Sequence, residues 1–278
     1  MKFTDMLAGA WRANNSLLCV GLDPDPSRFP DVVRGSVLDF CKEIIDATAD
    51  AVCAFKPQIA YFAAIGAERE LEALCRHIRD NHPGVVLVLD AKRGDIGISA
   101  DHYAASARGP MAAGWTTVSA YLGADSLLPF LGAGHGAFAL VRTSNPSGDA
   151  VQSLRLADGR TVAEAVADLV AACGAERCGT SGFSALGAVV GATKPADAAA
   201  LRGRMPRQMF LVPGYGAQGG GIDDVLPCFR PDGRGALVTA SRSVIYAFDP
   251  ADRQWVDAVR RAADALRREL AAGLGVGS

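Results

Sequence analysis

The chain has 278 residues, half of them hydrophobic and 21% charged, with a formal net charge of −2. That is enough apolar sequence for a large core, and the balanced charge, with no basic tract beyond Arg260-Arg261 and Arg267-Arg268, excludes a nucleic-acid or polyanion binder. No apolar run approaches membrane-spanning length, and Met1-Lys2-Phe3-Thr4-Asp5 lacks the layout of a signal peptide, so no membrane contact and a cytoplasmic protein are expected.

Taken in order, short apolar runs at 17–21, 52–56, 85–92, 116–122, 137–143, 185–192, 210–213 and 236–241 read as strands. Amphipathic or Ala-rich stretches at 37–51, 63–81, 98–113, 126–131, 161–173, 195–202, 222–228 and 249–272 lie between and after them. Strand and helix alternating eight times predicts a (β/α)8 TIM barrel, with an open doubly wound sheet as the competing architecture. No linker, composition break or repeat divides the chain, so 1–278 reads as a single domain. The connection from 145 to 161 lacks clear periodicity, and apolar–polar alternation before Asp158-Gly159 suggests a small hairpin there.

The seven cysteines (Cys19, Cys41, Cys53, Cys75, Cys173, Cys178, Cys228) are scattered in apolar or helical context, which suits free thiols in a reducing compartment. No CxxC pair or zinc spacing occurs, His77 and His82 read as solvated residues at a helix end, and no metal site is expected. His102 and Tyr103 read as packing or capping residues.

Function in such a barrel sits at the carboxyl ends of the strands. There the sequence places Asp23, Phe55-Lys56-Pro57, Asp90-Ala91-Lys92, Arg142-Thr143-Ser144-Asn145, the glycine-rich stretch from Pro213 to Gly221, and Ser241-Arg242-Ser243. Asp90 and Lys92 fall on the same side of a strand, and their spacing alone leaves a structural salt bridge and a catalytic pair both open. The convergence of polar and ionisable groups on one rim favours catalysis. In the seventh and eighth loops, Gly219, Gly220, Gln218 and Arg242 have the chemistry of a phosphate cradle: backbone N–H groups free of side chains, an amide donor and a guanidinium.

These motifs carry a resemblance. Leu22-Asp23, Phe55-Lys56-Pro57, Asp90-x-Lys92-x-x-Asp95, Thr143-Ser144-Asn145-Pro146, Pro213-Gly214-x-Gly216-Ala217-Gln218-Gly219-Gly220 and Ser241-Arg242-Ser243 stand in the order found in orotidine 5′-phosphate decarboxylases. The chain resembles the longer bacterial subgroup of that family in Tyr121-Leu122-Gly123-x-Asp125 and Val190-Gly191-Ala192-Thr193, and departs from the family's Asn-Pro at Ser119-Ala120.

The resemblance implies decarboxylation of orotidine 5′-monophosphate without metal or other cofactor. It implies a charge network of Lys56, Asp90, Lys92 and Asp95, with Lys92 protonating C6 of the pyrimidine. Asp23 and Lys56 would hold ribose hydroxyls, Ser144 the pyrimidine amide edge, and Gln218 and Arg242 the 5′-phosphate, with a closing loop within 217–224. Asp95 and Ser99 would reach the neighbouring subunit's site, so a homodimer is implied. Three rivals share the barrel. A magnesium-dependent sugar-phosphate decarboxylase needs an acidic residue where this chain has Lys56. A Schiff-base aldolase needs a depressed lysine pKa, which flanking carboxylates oppose. The third is a phosphate-binding barrel without activity, against which the intact Asp90-Lys92-Asp95 set argues.

Overall fold

The computed structural model describes residues 3–33, 35–216 and 219–275. Eight parallel strands close into a barrel in sequence order: β1 (Leu18–Leu22), β2 (Ala54–Pro57), β3 (Val86–Arg93), β4 (Trp115–Ser119), β5 (Gly136–Arg142), β6 (Leu186–Val190), β7 (Phe210–Val212) and β8 (Ala236–Ala240). Closure is made by β1 on β8, with Leu18 opposite Val238 and Val20 opposite Ala240. The expected barrel is the one observed, and the open sheet is excluded. β1, β2, β6, β7 and β8 are buried along their whole length, which is why they read as unbroken apolar runs rather than alternating ones.

The helices form the outer layer: α1 (Phe3–Asn14), α2 (Val37–Thr48), α3 (Ile59–Ala63), α4 (Glu68–Asn81), α5 (Gly97–Arg108), α6 (Asp149–Gln152), α7 (Val162–Gly174), α8 (Pro195–Arg204), α9 (Ile222–Val225), α10 (Arg242–Ile245) and α11 (Trp255–Leu274). Local chemistry fixes several of their ends. Ser36 Oγ accepts from the Asp39 N–H to start α2, and Thr161 with Glu164 forms a reciprocal capping box at α7. Between α2 and α11 the rings of Phe29, Phe40 and Trp255 stack, with Phe40 at 4.1 and 5.4 Å from its neighbours.

The sequence pattern and the structure differ in five places. The stretch 63–81 is broken by Gly66 at φ 65° into α3 and α4. Residues 126–131 are 3-10 turns around Pro129 rather than an α-helix, and the helical part of 222–228 stops at Val225, ahead of Pro227. The amino-terminal helix α1 has no counterpart among the helices expected from the sequence. It buries Leu7 and Trp11, the latter edge-on to Phe183 at 5.5 Å, while Asn14 Nδ2 donates to the carbonyls of Ala49 and Val52 where β2 begins. Finally, the 145–161 connection does contain the hairpin, with Arg155 bridging Thr161 and Gly159 at φ 87° in its turn, but the helix α6 precedes it.

His77 and His82 are not simply solvated. Both rings hydrogen-bond Asp46 Oδ1, at 2.6 and 2.7 Å, and so tie the end of α4 to α2. Cys19, Cys41, Cys53, Cys75 and Cys228 are buried free thiols, and burial pushes the Cys19 thiol up to about 12, which rules it out as a nucleophile at neutral pH. No helix among the described residues is long and apolar enough to cross a membrane.

Candidate active site

The carboxyl ends of the strands surround a cavity of about 610 Å³. At its base Asp90, buried on β3, stands between two ammonium groups: Lys56 Nζ donates to its Oδ2 at 2.8 Å and Lys92 Nζ to its Oδ1 at 2.7 Å. The two lysines differ in environment. The side chain of Lys56 is 7% exposed and that of Lys92 is 49% exposed. Burial by itself would raise the Asp90 carboxyl, but Lys56 and then Lys92 reverse this and hold it far below the usual carboxylate range. For Lys56 burial acts downward, and the Asp90 and Asp23 charges override it, leaving its ammonium above the ordinary lysine value. Both partners therefore shift toward the charged form, as a buried ion pair must if it is to persist.

Lys92 reaches this position through an unusual backbone. Its φ is 45°, in the left-handed region that side chains rarely adopt, and the β3–β4 register shifts between Leu89 and Arg93. Thr117 on β4 holds the bulge. Its Oγ1 accepts from the Ala91 and Lys92 N–H groups at 3.0 and 2.9 Å and donates to Asp90 Oδ1 at 2.8 Å. A threonine in a strand is ordinary in sequence, so this residue gave no signal there.

Asp23 follows β1 and lines the cavity, and its loop is held by Tyr246, whose hydroxyl donates to the Asp23 carbonyl at 3.0 Å and accepts from the Asp25 N–H at 2.6 Å. Asp23 Oδ1 and Ser241 Oγ are buried on residues that line the cavity and have no hydrogen-bond partner among the described residues, so both are available to a ligand that bears hydroxyl groups. Ser144 lines the opposite wall, its carbonyl accepting from Thr193 Oγ1 at 3.0 Å. Arg242, exposed at the start of α10, borders the same cavity, and no ion-pair partner of it occurs among the described residues. Three cations thus face two carboxylates, an excess suited to an anionic ligand.

Not every expected residue comes to this cavity. Asp95 and Ser99 do not line it, and Asp95 Oδ1 accepts from its neighbour Ile96 N–H at 2.8 Å. Gln218 lies outside the described residues. Gly219 and Gly220 are described, but their N–H groups donate within the loop, to the carbonyls of Gly216 at 2.8 Å and Gly214 at 3.1 Å, so in this arrangement neither is offered to an anion. Gln58, Tyr61 and Thr117 line the cavity and were missed in sequence, and Tyr215, within the expected rim stretch, lines it as well. Tyr215 is further anchored by its hydroxyl to Glu269 on α11 at 2.5 Å.

Fold and rim define the class: a (β/α)8-barrel enzyme with a carboxylate-bridged pair of lysines at the ends of its strands. Residues 16–253 match the sequence profile of the family described as Orotidine 5'-phosphate decarboxylase / HUMPS family. An orotidine 5′-phosphate decarboxylase of Paracidovorax citrulli is 49% identical over 282 residues, spanning 99% of this chain and 100% of the relative. One of Ralstonia pickettii is 47% identical over 275 residues, 97% and 98% of the two chains. The structure of Leishmania donovani OMP decarboxylase superposes with a TM-score of 0.81 at 36% identity, covering 100% of both chains. The chain belongs to the orotidine 5′-phosphate decarboxylase / HUMPS family.

Proposed function

We propose that this rim decarboxylates orotidine 5′-monophosphate to uridine 5′-monophosphate, a step of pyrimidine synthesis, with Lys92 delivering the proton that replaces the carboxylate. One observation carries the assignment of roles: Asp90 is bonded to two lysines that both line the cavity, and of the two it is Lys92 whose side chain is half-exposed, while Lys56 is buried. As the C6–carboxylate bond breaks, carbon dioxide leaves without the bonding electrons, and the pair left on C6 takes a proton from Lys92 Nζ. Asp90 acts on this step either by repelling the substrate carboxylate or by holding the ammonium preorganised to face the developing carbanion. Asp23 and Lys56 hold the ribose hydroxyls, Ser144 the pyrimidine amide edge, and Arg242 with Gln218 the phosphate. Because the Gly219 and Gly220 N–H groups are bonded inside their loop, a backbone contribution to phosphate binding requires that loop to rearrange.

The family description spans a second branch, and Lys56 decides between them. Its ammonium sits on Asp90 at 2.8 Å, where a magnesium-dependent sugar-phosphate enzyme would need an acidic ligand. No cofactor takes part in this reading, and residues 1–278 act as one catalytic domain in the reducing cytoplasm. The working unit is a homodimer in which Asp95 and Ser99 serve the partner's cavity. Supporting this, neither residue lines its own cavity, and Ile98 (75% exposed) beside them and Tyr121 (88%) after β4 present large apolar side chains to solvent.

The test is absorbance-monitored decarboxylation by chelator-treated protein, where turnover without metal is expected. Lys92→Ala should remove turnover while the dimer persists, and Arg242→Ala should mainly raise KM. Equal, mild losses in both variants would contradict the roles given, and nucleotide binding without turnover in the unmodified chain would return the inactive binding barrel.

A further inference from the structure

The residues after β5 are held by a side-chain assembly that none of the site's own motifs accounts for. Arg142, the last residue of β5, is 3% exposed, yet it carries a guanidinium. That charge is matched on every side. Nε donates to Asp197 Oδ2 at 2.6 Å, Nη2 to Asp149 Oδ1 at 2.6 Å and to Ser153 Oγ at 3.2 Å, and Nη1 to Gln152 Oε1 at 3.2 Å. Lys194 Nζ closes the set on Asp149 Oδ2 at 2.8 Å. Three of the arginine's four partners, Asp149, Gln152 and Ser153, belong to α6 or directly follow it, so the buried arginine fastens α6 to the barrel.

Gln152 transmits this fastening to the cavity. Its Oε1 accepts from the Thr143 N–H at 2.9 Å and its Nε2 donates to Thr143 Oγ1 at 2.8 Å. The β5–β6 pairing slips between Leu140 and Arg142, and Gly191 N–H bonds the Arg142 carbonyl in its place. The Thr143 N–H therefore has a side-chain amide as its partner where a strand would offer a carbonyl. The carboxamide behaves as a peptide unit added to the sheet, and Arg142 fixes which of its ends is the acceptor. The next residue is Ser144. From the other side a Cβ on Gly191 would stand 2.7 Å from Ser144 Cα, so the serine is enclosed between the β6 loop and the residue that Gln152 holds.

We propose that Gln152, oriented by Arg142, is a positioning residue for base recognition: it fixes Thr143 so that Ser144 presents its polar atoms to the pyrimidine. This rests on the reading of Ser144 given above. The 145–161 excursion then acquires a purpose, since α6 supplies the amide that the end of β5 lacks.

The experiment measures competitive inhibition by uridine 5′-monophosphate and by ribose 5-phosphate in the full chain and in Gln152→Ala, Gln152→Glu, Ser144→Ala and the Ser144→Ala/Gln152→Ala pair. Ribose 5-phosphate lacks the base and reports the rest of the site. Gln152→Ala should weaken uridine 5′-monophosphate about tenfold and leave ribose 5-phosphate within about twofold, on the scale of one lost pairing to a polar edge. Gln152→Glu should restore affinity, because a carboxylate accepts the same N–H and the Thr143 hydroxyl can turn to donate. The double variant should be no worse than Ser144→Ala. Equal weakening of both ligands in Gln152→Ala, or additive losses in the pair, overturns the proposal. An unaffected Ser144→Ala overturns the reading of Ser144 itself; an affected Ser144→Ala with an unaffected Gln152→Ala overturns only the positioning role. If Gln152→Ala does not fold, Gln152→Met keeps the volume without the bonds and is read the same way.

Discussion

Thr117→Val tests the architecture of the site with almost no change of shape. The substitution exchanges one hydroxyl for a methyl in a residue 1% exposed. It removes the acceptor of the Ala91 and Lys92 N–H groups and the donor to Asp90 Oδ1. Two hydrogen bonds to backbone and one to a charged carboxylate amount to about 3 kcal/mol, or roughly 5 °C in Tm for a chain of this size. The catalytic effect should be larger than the stability effect suggests. Lys92 holds φ 45°, a conformation costing about 1–2 kcal/mol for a residue with a Cβ, and the Thr117 hydroxyl is what its N–H bonds. Freed of it, the backbone relaxes and Nζ moves; a displacement on the order of 1 Å lowers turnover about 100-fold. Thr117→Ser retains the hydroxyl and should recover most of kcat. Steady-state decarboxylation and thermal melting of the three proteins decide the matter. Wild-type turnover in Thr117→Val, or equal damage in Thr117→Ser, would refute the reasoning.

Stability should depend on pH through the Lys56–Asp90 pair. The native Asp90 carboxyl is depressed, so its contribution is complete above the unfolded value of about 4 and is lost as pH falls below it; the Lys56 ammonium is raised, so its contribution is complete below about 10 and is lost as pH rises beyond. Melting curves of Asp90→Asn should be lower at neutral pH by the cost of an unpaired buried charge, about 3–5 kcal/mol, and shallower on the acid side, whereas an acid limb parallel to that of the parent would sink the assignment. Tyr215→Phe removes the 2.5 Å bond to Glu269 and should raise KM severalfold with a smaller change in kcat, since it loosens the base of the loop that follows β7. Unaltered kinetics would mean that α11 does not steady that loop.

The barrel was legible because parallel strands buried on both faces leave uninterrupted apolar runs, and the rim because charged residues end them: Lys56 after Phe55, Asp90 after Leu89. What escaped the sequence was whatever depends on a partner far along the chain. Arg142 and Asp197 are 55 positions apart and Tyr246 reaches back 223 positions to Asp23, distances over which no spacing rule operates. Thr117 and Gln152 were hidden for a different reason: each is an unremarkable residue type whose importance lies in the backbone N–H that it satisfies. The glycines carry a second role that their sequence did not show. Gly219 and Gly220, read in sequence as N–H groups for phosphate, here hold the turn of their own loop, with Gly219 at φ 91°.

The unequal burial of the two lysines bears directly on the chemistry. If Lys92 gives up its proton, it stops being a counter-ion of Asp90, and a carboxylate left alone at that depth would cost several kcal/mol at the moment of reaction. Asp90 is not left alone. Its other oxygen keeps the Lys56 ammonium at 2.8 Å, and Lys56 is the partner held charged by both Asp90 and Asp23. On the proposed roles the same division would separate folding from catalysis: the buried Lys56–Asp90 pair would maintain the base of the cavity while Lys92 transfers its proton. The half-exposed Lys92, set at φ 45° with its N–H bonded to Thr117, is the member of the set that can meet a ligand without exposing the buried pair.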